Sequence, residues 1–131
     1  MLVKVEAYKE STRVAYMTFS GTNTDNKNWF SPNNLINSTW PDLQTISSFN
    51  VFHIAGGDYA YARHFYINKQ HGGCSNDLGW FMVIDANEVH QQCLYDNQTY
   101  PAIFYSLQSS GTHWQYQAYG LADTMLIYVK Q

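Results

Sequence analysis

Residues 52–93 read FHIAGGDYAYARHFYINKQHGGCSNDLGWFMVIDANEVHQQC, and this segment carries the clearest structural pattern in the chain. An alternating run at 59–68 and a dense apolar run at 80–84 flank a glycine-containing turn at 71–77. Alternation with a period of two is typical of a strand with one buried face. The stretch therefore predicts an antiparallel hairpin.

The two cysteines of the chain lie at the ends of the second half of this hairpin. Cys74 sits in the turn and Cys93 follows the second run. A disulfide between them would close a loop of about 20 residues and stabilise the fold by roughly 3 kcal/mol on the chain-entropy estimate. The alternative is two free buried thiols. We predict the disulfide.

The rest of the chain has the same two-residue period, and no segment carries a helical pattern for three turns. We predict one all-β domain over residues 1–131, an antiparallel β-sandwich or jelly-roll-like barrel of about eight short strands. The predicted strands cover residues 2–8, 13–20, 49–54, 59–68, 80–84, 102–107, 112–119 and 124–130.

Local signals refine this prediction. Ser31-Pro32 is typical of a helix start, so we predict one short helix near 32–38. The first two strands are expected to form a hairpin around 10–12, and residues 106–119 a second hairpin. The last strand, 124–130, is apolar on both faces, so we place it centrally and beside the first strand.

Composition argues against two classes of partner. The formal charge is −3, and the seven basic residues form no stripe that could follow phosphates, so we expect no nucleic acid. No apolar run approaches the ~18–20 residues of a membrane span. Charged residues make up 13% of the chain against the usual quarter. Low charge and the cysteine pair lead us to expect a secreted protein.

Catalytic and metal motifs are not found in the sequence. There is no Gly-x-Ser-x-Gly elbow, CxxC or HExxH pattern, and the five histidines are scattered. We expect a non-enzyme with no catalytic residues, no cofactor and no metal. Calcium is kept as an alternative at the oxygen-rich segments 23–28 and 76–77, although Asn and Asp are also the ordinary turn formers.

The strongest functional signal is that aromatic side chains and the planar amide and carboxylate groups of Asn and Asp occur together in loops. Sugars bind through an aromatic ring under the sugar and through amides and carboxylates at its hydroxyls. The candidate ligand-binding residues are Asp25, Asn26, Asn28, Trp29, Tyr59, Tyr61, Arg63, Asn76, Asp77 and His113. The alternative is that aromatic residues form the core. We favour the core for Trp80, Trp114 and Phe65, and a surface role for Trp29 and Tyr59.

A resemblance supports this interpretation. The matching segments are Phe52-His53-Ile54, 63–68, 72–80, Cys93, Tyr105-Ser106 and 122–125. Their spacing resembles an extracellular, lectin-associated β module of secreted proteins from molluscs and other marine invertebrates. The resemblance covers most of the chain and is strongest at 72–80. It implies a secreted, disulfide-bearing recognition or matrix module, and it transfers no catalytic residue.

These observations predict a secreted, non-enzymatic, lectin-like protein that binds glycans or glycoproteins. Two alternatives stay open: a structural protein that assembles as a homo-oligomer in a matrix, mucus or egg fluid, and a small-ligand carrier. The sequons at Asn37 and Asn97 leave glycosylation of the chain itself open, since two are about what chance gives.

Overall fold

A computed structural model describes residues 1–46, 48–55, 63–70, 72–85, 93–116 and 118–131. Over these ranges, ten strands form two antiparallel sheets, which confirms the predicted all-β sandwich. The strands are β1 (Leu2–Lys9), β2 (Thr12–Ser20), β3 (Leu35–Ser38), β4 (Val51–His53), β5 (Arg63–Gln70), β6 (Leu78–Ile84), β7 (Ala102–Ser106), β8 (Thr112–His113), β9 (Tyr119–Ala122) and β10 (Thr124–Lys130).

The first sheet has the order β10-β1-β2-β3. Its centre is the predicted β1–β2 hairpin, in which Val5 lies opposite Met17. Glu10 and Ser11 form the two-residue turn with φ of 50° and 68°. Positive φ at both central residues is what a type I′ turn requires, and this turn matches the natural twist of paired strands. The Glu10 N–H also donates a hydrogen bond of 2.7 Å to Asp123 Oδ2.

The second sheet has the order β4-β5-β6-β7-β9, with β8 paired to β6. The β5–β6 pair is the hairpin predicted from residues 52–93. A Cys74–Cys93 disulfide is present, as predicted, and joins the turn of this hairpin to the segment before β7.

The main core lies between the two sheets. The inner residues of β1 and β2 alternate as predicted, and each of them is at most 5% exposed: Val3, Val5, Ala7, Ala15, Met17 and Phe19. Ile67, Phe81 and Ile103 of the second sheet belong to the same cluster. Burial of these apolar faces is the main force that holds the sheets together.

A second core covers the far face of the second sheet. Tyr66, Met82, Phe104 and Trp114 pack there, next to both cysteines. Trp80 and Trp114 are each 0% exposed, so the predicted core role of these two side chains is confirmed. Phe65, the third residue assigned to the core, packs against the main cluster.

The predicted helix near 32–38 is largely wrong. Only Pro32–Asn34 forms a 3₁₀ turn, and Leu35–Ser38 is strand β3, in which Asn37 lies opposite Thr18 of β2. Pro32 occupies the first turn as expected, but the Ser31 side chain makes no capping bond.

None of the helical segments among the described residues has the length and apolar composition of a membrane span. In the part of the chain that the structure describes, the other 3₁₀ turns are Pro41–Gln44, Leu94–Asp96 and Trp114–Tyr116.

The predicted hairpin at 106–119 is right only at its ends, where Ser106 lies opposite Tyr119; the strand predicted over 112–119 is divided between β8 and β9. β7 pairs with β9, and β8 pairs with β6 instead. A Cβ at Gly111 would come within 2.8 Å of Leu78 and 3.0 Å of Trp80. The missing side chain therefore lets this segment fold closely over β6, and Trp114 enters the second core.

β10 pairs with β1 as predicted, but it is the edge of the first sheet rather than a central strand. Leu126 and Val129 are 51% and 55% exposed. The expectation of a central strand followed from its apolar faces, and the second sheet does not extend far enough to cover them.

We predict that replacing both cysteines by serine lowers the free energy of unfolding by about 3 kcal/mol, since the open chain gains loop entropy when unfolded. Urea unfolding followed by tryptophan fluorescence measures this. Ser75→Ala, an exposed change in the same turn, is the control and is expected to leave stability unchanged. A double variant as stable as the parent chain would contradict the prediction.

Candidate functional site

The predicted polar loop at 23–28 satisfies its own hydrogen bonds. Asp25 Oδ1 accepts from the backbone N–H groups of Lys27 at 2.9 Å and Asn28 at 2.8 Å, and Asn28 Oδ1 accepts from Asp25 N–H at 2.7 Å. The bonds from Asn28 and Lys27 hold the pKa of the Asp25 carboxyl below its ordinary value. Asn26 is exposed beside them. These side chains therefore build a turn, which is the usual role of Asn and Asp in loops.

The predicted surface role of Trp29 is wrong. The side chain is 7% exposed, and its ring meets Phe19 edge-to-face at 5.4 Å in the main core. An aromatic pair of this geometry stabilises a core beyond the area it buries. Tyr59 and Tyr61 lie outside the described residues.

Arg63 and Asp77 belong to a buried polar network in the second core. Arg63 is 2% exposed, and its guanidinium donates to Asp96 Oδ1 at 2.8 Å and to the Tyr66 hydroxyl at 3.1 Å. Asp77 is 1% exposed, lies 3.9 Å from Arg63, and accepts a hydrogen bond from the Tyr95 hydroxyl. Neither side chain is available to a glycan.

Burial sets the electrostatics of this network. It raises the pKa of Tyr66 to about 12, and it raises the pKa of Tyr95 as well. Burial also raises the pKa of Asp96, against the attraction of the Arg63 guanidinium. For Arg63 itself burial disfavours the charge, but Tyr66, Asp96 and Tyr95 outweigh it and hold its pKa above the ordinary value. The network keeps Arg63 charged and its tyrosines neutral, which suits a structural role.

The remaining predicted residues lie apart from these groups. The Asn76 amide donates to the Gly72 carbonyl at 3.0 Å within the hairpin turn. His113 is half-buried, with its ring 5.5 Å from that of Tyr116. Within the described part of the chain, no three His, Cys, Asp or Glu side chains are grouped to hold a metal ion. The eight predicted residues that the structure describes thus do not form one site.

A different polar pocket lies on the outer face of the first sheet. It has a volume of about 200 Å³. Its polar and aromatic lining residues are Lys4, Glu6, Arg13, Tyr16, Thr18 and Asn37. Strand register brings them together, because Glu6 lies opposite Tyr16, and Thr18 lies opposite both Lys4 and Asn37. Residues directly opposite each other on paired strands share a face.

Glu6 is the fixed centre of this pocket. Its carboxylate accepts from the Arg13 guanidinium at 2.8 Å and from the Tyr8 hydroxyl at 3.0 Å. The Arg13 bond holds the pKa of Glu6 below its ordinary value against the effect of burial, with help from Tyr8 and Tyr128. Arg13 also lies over the Tyr16 ring, 4.5 Å from its centre. These contacts hold the floor of the pocket in one arrangement.

Three other groups of the pocket are free to bind a ligand. Within the described ranges, the Lys4 ammonium, the Thr18 hydroxyl and the Asn37 amide make no side-chain hydrogen bond to protein. The alternation of β1 and β2 could have indicated Lys4 and Thr18 from the sequence. Asn37 could not be found in that way, because its segment was predicted to be helical.

Comparisons with known proteins identify no relative of this chain. No protein-family model matches the chain, and no curated protein or solved structure gives a significant match. The resemblance to a lectin-associated module therefore stays a prediction, and function is inferred from the chemistry of the surface.

We predict that Arg63→Met lowers the free energy of unfolding by about 3–5 kcal/mol, because it leaves buried carboxylates without their cation. Arg13→Met is the matched control, since this arginine also pairs with a carboxylate but its side chain is 48% exposed. The Glu6 side chain is 11% exposed, but the pair is open to water on the Arg13 side, so its loss is expected to cost less, about 1 kcal/mol. Urea unfolding of both variants measures the difference, and equal losses would contradict the prediction.

We predict that Glu6 makes stability depend on pH. Its pKa is lowered on folding, so near pH 4 the unfolded chain binds more protons than the folded chain, and stability rises with pH there. The stability advantage of the parent chain over Glu6→Gln is therefore expected to shrink as pH falls from about 5 to 3. Urea unfolding across this range measures it, with Glu10→Gln as the control for loss of one exposed charge. A difference that stays constant with pH would contradict the prediction.

Proposed function

We propose that this chain is a secreted, non-enzymatic carbohydrate-binding protein that binds its glycan on the outer face of the first sheet. The observation that carries the proposal is the pocket in which Lys4, Thr18 and Asn37 present unengaged polar groups beside a fixed Glu6–Arg13 pair. The Cys74–Cys93 disulfide supports the extracellular part of the proposal, because disulfides persist in oxidising compartments.

The mixed chemistry of the pocket favours a sugar over a simple anion. Each sugar hydroxyl both donates and accepts hydrogen bonds, and so do the Thr18 hydroxyl and the Asn37 amide. Lys4 adds a donor, and the charge of Arg13 is already offset by the Glu6 carboxylate. A phosphate or a sulfate would only accept hydrogen bonds, so it would leave the acceptor oxygens of Thr18 and Asn37 without a partner. A polyol therefore matches this lining better than a phosphate or a sulfate.

The size of the pocket suggests how much of a glycan it holds. Its volume of about 200 Å³ is below the roughly 300–1,000 Å³ of pockets that enclose a drug-sized ligand. We propose that one sugar ring occupies it and that further rings extend over the open sheet. Tyr128 lies opposite Lys4 on the neighbouring strand and is 38% exposed, so its ring is available to such an extension.

A second candidate function is a structural or assembly protein of an extracellular material. The observation that favours it is the exposed apolar strand β10 at the edge of the same sheet. The pocket is lined by β1, β2 and β3, whereas association would use the edge of β10, so one chain can have both functions.

Binding to a glycan array, followed by calorimetry with the best ligand, tests the proposal. We expect Lys4→Ala, Thr18→Val and Asn37→Ala each to weaken binding by about tenfold, since each removes one hydrogen-bonding group worth roughly 1 kcal/mol or more. The protein is made in a host that does not glycosylate it, because Asn37 belongs to a sequon and lines the pocket.

Matched controls are Asn26→Ala and Lys27→Ala, which change the same residue types on the exposed loop. They are expected to bind like the parent chain. An array without a ligand for folded protein would contradict the proposal. Loss of binding in the loop variants with retention in the pocket variants would move the site back to the loop predicted from the sequence.

A further inference from the structure

Strand β10 combines an open backbone edge with apolar side chains on both faces. It pairs with β1 on one side only, and no strand of the described residues pairs with its other side. Leu126, Ile127, Tyr128 and Val129 are 38–55% exposed. An edge strand of this kind offers unpaired N–H and C=O groups as a template for another strand.

One apolar row of β10 faces inward but is only partly covered, since Met125 packs against the main core and the residues after it are exposed. Met125, Ile127 and Val129 lie opposite Ala7, Val5 and Val3, so they share the core face of the sheet. The three partners on β1 are at most 5% exposed, whereas Ile127 is 42% and Val129 55% exposed. The second sheet therefore covers β1 and leaves the inner side of β10 open to solvent.

The usual protections of an edge strand are confined here to Lys130 at the end of β10. Natural edge strands carry charged side chains, proline or a bulge that discourage pairing. Residues 124–129 contain no charge and no proline, and the pairing of β10 with β1 is regular throughout. A long edge strand with so little protection is typical of a strand that pairs with another chain.

We propose that the partner of β10 is the same strand of a second copy of this chain, paired antiparallel about a two-fold axis through Ile127. In this register Ile127 faces its own counterpart, Met125 faces Val129, and Leu126 faces Tyr128. The two inner rows then pack side by side and bury their adjoining flanks, and the two first sheets join into one sheet of eight strands.

Charge complementarity supports a second copy in this register. Thr124 lies opposite Lys130 of the second copy, and no two like charges face each other. Thr124 also lines a surface pocket of about 550 Å³ with Glu10 and Asp123, whose carboxylates carry negative charge. Pairing delivers the ammonium of Lys130 from each copy to this acidic pocket of the other. Charge complementarity of this kind determines which partner binds and in which register. It contributes less to the affinity of the dimer.

Analytical ultracentrifugation of the chain over a wide concentration range tests the proposal. We expect a reversible dimer of twice the 15.1 kDa chain mass. Ile127→Lys places two like charges at the two-fold axis and is expected to weaken association by about a hundredfold or more. Ile36→Lys is the matched control, because Ile36 is 43% exposed on the opposite edge of the same sheet. It is expected to leave the dimer unchanged.

A mixed sample separates loss of pairing from loss of folding. Ile127→Lys and Ile127→Glu should each be monomeric alone and should form a heterodimer when mixed, since opposite charges then face each other. A parent chain that stays monomeric at the highest concentration would overturn the proposal. So would a dimer that Ile127→Lys leaves intact, because another surface would then hold the copies together.

Cysteine substitution tests the register itself. Ile127→Cys is expected to form an interchain disulfide under mild oxidation, because the two residues lie directly opposite each other. Met125→Cys lies on the same face but about 13 Å along the strand from its counterpart, so it should not crosslink. Crosslinking of Met125→Cys in preference to Ile127→Cys would overturn the register. The glycan-binding variants are expected to dimerise normally, so failure of one proposal is distinct from failure of the other.

Discussion

The register of the β1–β2 hairpin determines which side chains of the first sheet reach the core and which face solvent. A slip of one residue would exchange the two faces, placing Lys4 and Glu6 in the core and Val3 and Val5 in water. The two-residue turn at Glu10 and Ser11 prevents this slip, since its length and positive φ values fix which residues lie opposite each other. The same register assembles the outer polar pocket and positions β1 to receive β10.

Much of the fold could be predicted because period-two alternation carries direct information on burial. The inner and outer faces of β1 and β2, the β5–β6 hairpin and the disulfide follow from residues close in sequence. The errors concern pairing over longer distances. Residues 35–38 follow a helix-start signal, but pairing with β2 decides their conformation. Whether β10 is covered depends on how far the second sheet extends. The local sequence pattern of β10 contains no information on this.

The candidate site was harder to predict than the fold. Asn and Asp in a loop are typical both of a sugar site and of a turn that bonds to itself, and in residues 23–28 the structure shows the turn. Trp29 follows that loop in sequence, yet its ring reaches the core. The pocket on the outer face takes residues from three strands, so its composition becomes visible only once the strand order is known.

The outer pocket spans β1 to β3, only a few strands from the open edge of β10. Antiparallel pairing about an axis perpendicular to the sheet keeps the same face of both copies on the same side. With about 4.8 Å between strands, the two pockets would lie roughly 24 Å apart and point in one direction. Such a pair of pockets would bind two branches of one glycan, or two neighbouring glycans on a surface. The avidity would then rise without any additional contact in either pocket. Pairing would therefore let a pocket of only about 200 Å³ act together with its copy on one extended ligand.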